Sequence, residues 1–100
     1  RDALARVVRE AGGTPVEARS DSDYVEALAL ATLTSEADVV ALATRLEQGA
    51  TNAYTGQVAA LSDKGLVHLF TQLSADEAVH WATLNNAAGT EIPAQAFLFG

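Results

Sequence analysis

Leu46–Glu47–Gln48–Gly49–Ala50–Thr51–Asn52–Ala53–Tyr54, read together with Asp76–Glu77–Ala78–Val79–His80–Trp81, decides the fold of this chain. The two stretches place a carboxylate on one predicted helix and a Glu-x-x-His pair on the next. All three side chains fall where apolar residues belong. Val40, Glu47, Tyr54 and Leu61 recur every seventh residue on one stripe, and Leu66, Phe70, Leu73, Glu77, His80 and Leu84 form another. A lone carboxylate on a core stripe is costly unless it is paired or bound to a metal. Two facing carboxylates repel, and one of them must stay protonated. A cation removes that conflict, and carboxylate with imidazole suits Fe, Mn or Zn better than Ca or Mg.

The helices that carry these residues can be read outward from them. Ser35-x-x-Asp38 resembles a capping box, and Glu36–Leu61 then continues without proline in a helical pattern. Such a helix is roughly 39 Å long. Gly49 and Gly56 share a neighbouring stripe, either to admit a close helix or merely as tolerated residues. Ser62–Gly65 is the turn, and a second long helix follows from Leu66, ended by Asn85–Asn86 and Gly89. As an antiparallel hairpin with its turn centred between residues 63 and 64, the pair sets Glu47 and His80 equidistant from the turn. Glu77 lies one turn from His80 on the same face. Glu47 is therefore predicted to meet Glu77 and His80.

Upstream, Asp2–Ala11 reads as a short amphipathic helix stopped by Gly12–Gly13 and Pro15. Ser20–Asp23 offers N-caps for a helix from about Tyr24 to Leu33. The tail Glu91–Gly100 carries Ile92, Pro93, Phe97, Leu98 and Phe99, too apolar for a solvated segment, and is predicted to pack on the bundle or on another subunit. The fold class is thus all-α, one long antiparallel hairpin plus two shorter N-terminal helices, in a single domain over residues 1–100.

Composition narrows the function. A formal net charge of -7 argues against a nucleic-acid partner. Without cysteine there is no disulfide, thiolate site or cysteine nucleophile, so any metal is held by carboxylate and imidazole. No apolar run approaches the roughly 18 residues of a membrane helix, so no membrane partner is expected. The chain begins at Arg1 within a helical pattern and without an initiator methionine. It is expected to be part of a longer product, and its compartment, cytoplasmic or exported, stays open.

Glu47-x6-Tyr54 on one helix and Glu77-Ala-Val-His80 on the next resemble one half of the ferritin-like superfamily, as in the di-iron carboxylate proteins. The wording Leu-Glu-Gln-Gly-Ala-Thr-Asn-Ala-Tyr followed by Glu-Ala-Val-His-Trp-Ala-Thr-Leu looks like the C-terminal half of bacterial ferritin-like proteins of the desiccation-related type, over roughly residues 36–90. The resemblance implies an up-down four-helix bundle and a di-iron site with Glu47, Glu77 and His80 as metal ligands. It implies Tyr54 as the nearby redox-accessible, catalytic candidate, and ferroxidase or peroxide-consuming chemistry. The full pattern needs two helix pairs and one is present here. The opposing ligands are therefore expected from an upstream half of the same chain or from a second copy, as in the short encapsulated ferritins that the hairpin also resembles.

Competing readings attach to the same residues. Ser74-x-x-Glu77 fits a capping box, which would break the last helix at Leu73. His80 alone is most simply a hydrogen-bonded core histidine. Glu47 has Arg45 and Lys64 as alternative partners. Tyr54 and Trp81 serve packing, His68 lies at the surface, and Asp21, Asp23, Glu26, Asp63 and Asp76 serve as caps and solvated faces. At the level of function, the runner-up is a metal-free helical interaction module. A Glu/His hydrolase has less support, because no nucleophile or oxyanion motif accompanies the pair.

Overall fold

The computed structural model describes residues 1–100. It contains α1 (Asp2–Glu10), α2 (Asp21–Ala27), a 3-10 turn (Leu30–Thr32), α3 (Glu36–Val58) and α4 (Lys64–Ala87), with no strand. The chain gathers into two compact units, Arg1–Thr32 and Leu33–Gly100.

In the first unit, α1 ends where Gly12 takes φ +80. That left-handed residue lets the Gly13 N–H reach the Val8 carbonyl at 2.8 Å and the Gly12 N–H reach Arg9 at 2.9 Å, a Schellman stop. The second helix departs from the Tyr24–Leu33 expectation at both ends. Ser20 caps it in a reciprocal box with Asp23, three residues earlier than the apolar pattern suggested. Ala29 then adopts φ 51, which no α-helix permits. Thr32 braces this turn through both its N–H and its hydroxyl, each donated to the Ala29 carbonyl.

The second unit holds the long pair. Ser35 and Asp38 form the expected capping box of α3, and the Thr34 N–H also donates to Asp38. These amide donors, with that of Thr34 foremost, hold the Asp38 carboxyl below its usual range. The helix ends at Val58 rather than Leu61, because the Ala60 and Leu61 N–H groups turn to carbonyls three residues back. Asp63 caps α4 through the Leu66 N–H at 2.9 Å. The α4 helix runs unbroken through Ser74 and Glu77, so the capping-box alternative there is excluded and Glu77 is mid-helix. Gly89 at φ +66 closes it with a second Schellman stop, the Thr90 N–H on the Asn85 carbonyl at 2.8 Å.

The helices α3 and α4 pack against each other, and their pairings run antiparallel: Thr55 with Ser74, Tyr54 with Phe70, Glu47 with His80. The seam is thin. Thr51 at 1 %, Trp81 at 6 % and Asn85 at 6 % are the only buried residues. Gly49 and Gly56 do not serve this seam, since an added Cβ at either would meet nothing. The tail does pack on the hairpin: Phe99 meets Trp81 edge-on at 5.1 Å between ring centroids, and the Gly100 N–H donates to Asn52 Oδ1. Phe97 stays exposed. No helix is long and apolar enough to cross a membrane.

Candidate metal centre

Glu47 comes from the middle of α3, and Glu77 and His80 from consecutive turns of α4. Continuity of both helices is what aims these side chains at one another. One ligand atom from each, a carboxylate oxygen from the two glutamates and a ring nitrogen from His80, all lie within 4.8 Å of one another. His80 Nδ1 is 3.1 Å from Glu77 Oε2 and 3.7 Å from Glu47 Oε2. The glutamate side chains are 28 % and 22 % exposed and His80 is 58 % exposed, so the cluster is sheltered at the carboxylates and open at the imidazole. The register predicted from the turn is the register found. Glu47 pairs with neither Arg45 nor Lys64.

The cluster's electrostatics are those of crowded anions. Glu47 and Glu77 bring a carboxylate oxygen from each helix within 4.8 Å of each other. Interaction with the Glu77 carboxyl, and then burial, holds Glu47 above the usual carboxylate range, while interaction with Glu47 holds Glu77 below it. The hydrogen bond to Glu77, aided by the charges of both glutamates, raises His80 above its ordinary value. Two crowded carboxylates beside a basic imidazole form a donor set that a cation fits by displacing the imidazole proton.

Tyr54 stands two turns beyond Glu47. Its ring meets Phe70 edge-on at 5.7 Å, and burial followed by the Glu77 charge raises its phenol, so it keeps its proton at neutral pH. His68 is exposed and outside the cluster, and Trp81 is a packing residue.

Three hydroxyls around the seam escaped sequence reasoning. Thr51, the most buried side chain, donates to the Glu47 carbonyl at 2.8 Å. Thr55 and Ser74 share a 2.6 Å hydrogen bond across the helices. Thr51 could have been found by its place on the packing stripe, one turn from Glu47. Ser74 was hidden by its fit to a cap motif.

A helical hairpin with a Glu-x-x-His turn facing a glutamate on the adjacent helix defines a carboxylate–histidine helical protein. The chain belongs to the ferritin-like domain family, whose model matches residues 1–90. The match extends upstream of the 36–90 region that carries the sequence motifs. No curated relative and no solved structure matches it.

Proposed function

We propose that this chain is a metal-binding member of its family, with Glu47, Glu77 and His80 as protein ligands of a di-iron carboxylate centre. The observation that carries the proposal is the convergence of the three ligand atoms within 4.8 Å on two continuous helices. Iron is the preferred ion, and manganese or zinc suit the same donors. When bound, iron supplies one-electron redox chemistry with oxygen or peroxide as oxidant, the basis of a ferroxidase-type activity.

The chain's own residues have assignable parts in that activity. Glu77, the more acidic carboxyl, is ionised and ready to ligate. Glu47, facing Glu77 and His80 from α3, would supply the second carboxylate to the metal. His80 presents Nδ1 toward both carboxylates and must be neutral to ligate. Tyr54, protonated and close enough to sense the charge of Glu77, is the redox-accessible side chain. Di-iron bundles use a glutamate from each of two helices and a Glu-x-x-His from each of two others. A second copy of this hairpin, or further sequence of the same product, supplies the opposing set. The apolar side chains left open on α3, Val39 at 52 % and Leu46 at 48 %, favour such a partner.

A metal-free helical interaction module is the second reading. It is favoured by the hydrogen bond that His80 and Glu77 already make, with no buried side-chain polar atom left unpaired. Thermal melting with Fe(II) under anaerobic conditions, Mn(II) or Zn(II) separates the two. Metal at a hundredfold excess over its dissociation constant adds about 2.7 kcal/mol, because it binds only the native state. Melting curves unchanged by all three ions would leave the metal-free module.

A further inference from the structure

We propose that the Thr55–Ser74 hydroxyl pair sets the register of the metal centre, making both positioning residues. This rests on the metal-binding reading above and adds to it the device that aligns its two halves. Away from the ligand cluster, the 2.6 Å bond between Thr55 Oγ1 and Ser74 Oγ is the one side-chain hydrogen bond that joins α3 to α4. Ser74 precedes Glu77 by a single turn, about 4.5 Å along the axis, and Thr55 follows Glu47 by about 12 Å. Fixing one pair therefore fixes how far Glu77 and His80 have slid along α3.

Such a lock is needed because apolar packing here is a weak guide to register. The hollow beside the pair is lined mostly by small side chains, Thr51, Thr71, Ala75 and Ala78 with Val58, and small side chains offer shallow knobs and holes. Phe99 lines the same hollow. A directional polar contact in a helix seam fixes register at little gain in stability, as a single buried polar residue does in coiled coils. Metal sites need their ligands held within about 0.5 Å, and a slide of that size already strains a short hydroxyl bond. The part-buried hydroxyls bond each other and not the ligand side chains, so their effect on metal passes through helix alignment.

The test is an equilibrium titration of the purified chain with Mn(II), reading the free ion by its electron paramagnetic resonance signal. Melting of the metal-free protein is followed in parallel. Ser74→Ala and Thr55→Val are each expected to weaken Mn(II) binding about tenfold. The double variant should lose no more than either single one, since both remove the same bond. Thr55→Ser, which keeps the hydroxyl, should bind as the parent does. Alanine is the better helix former at position 74, so that variant folds. Parent and variants binding Mn(II) equally, with only melting changed, would overturn the lock while leaving the metal site standing. A parent chain that binds no Mn(II) would overturn the site itself, and the lock with it.

Discussion

His80 holds two opposite pH dependences in one side chain. Its folded pKa is raised by Glu77, so in the metal-free protein its contribution to stability is full below about 6.5 and is lost as pH rises through the raised value. A metal must displace that proton to reach the imidazole. Metal affinity should therefore rise with pH over the range in which metal-free stability declines. Titrations in two buffers of different ionisation enthalpy, repeated from about pH 6 to pH 8, would show proton release on binding. A pH-independent affinity with no proton release contradicts the assignment of His80 as a ligand. His80→Ala and Glu77→Gln should each abolish or severely weaken binding. His80→Ala should leave helix content intact, because the imidazole is more than half exposed. Circular dichroism alongside the titration separates ligand loss from unfolding. At this scale the sequence was legible in the meeting of Glu47 with Glu77 and His80, because helix period and turn position constrain side chains even without an alignment. The hydroxyls were not legible, because serine and threonine suit caps, surfaces and seams alike.

Among the elements, α3 and α4 were readable because local signals agree with their period. Ser35 and Asp38 form the predicted box, Asp63 caps α4, and Gly89 stops it. Ser35→Ala should lower stability by about 1 kcal/mol by removing the acceptor for the Asp38 N–H, which urea unfolding can measure. The boundaries of α2 were not readable, because Ser20, Ser22 and Asp23 are all competent caps and because Ala29 gives no warning of a left-handed turn. The two α3 glycines are the other ambiguity that the structure resolves. A Cβ at Gly49 or Gly56 meets open space, so in this chain neither is there for a close helix. Gly49→Ala and Gly56→Ala should each raise the stability of the monomeric chain by up to about 1 kcal/mol. A loss of stability from either would show that a neighbour occupies that face in solution.

For the whole molecule, the telling feature is how little the long hairpin buries. Trp81 is its one buried hydrophobic side chain, while Val39, Leu46 and Val79 stand open. An acidic chain of 100 residues with so thin a core gains most by covering its apolar faces. Membership of the ferritin-like domain family and the need for opposing ligands give that cover a function as well. Sedimentation of the purified chain is expected to show self-association strengthened by Fe(II) under anaerobic conditions. Leu46→Lys should shift the chain toward monomer by placing a charge in the contact. A strictly monomeric chain with metal bound would contradict completion of the site by a second copy. The helical class and the motif were legible from periodicity and spacing. What would complete the proposed site was not, because helix period and turn position constrain only the contacts within this hairpin.

The central claim is that Glu47, Glu77 and His80 hold a metal, and the most direct test is anomalous diffraction from crystals of the chain grown or soaked with Fe(II) under anaerobic conditions. The account predicts an iron peak within ligand distance of a carboxylate oxygen of Glu47 and of Glu77 and of Nδ1 of His80. No iron peak among these three side chains, with the cluster still joined by its own hydrogen bonds at full iron occupancy elsewhere, would contradict it.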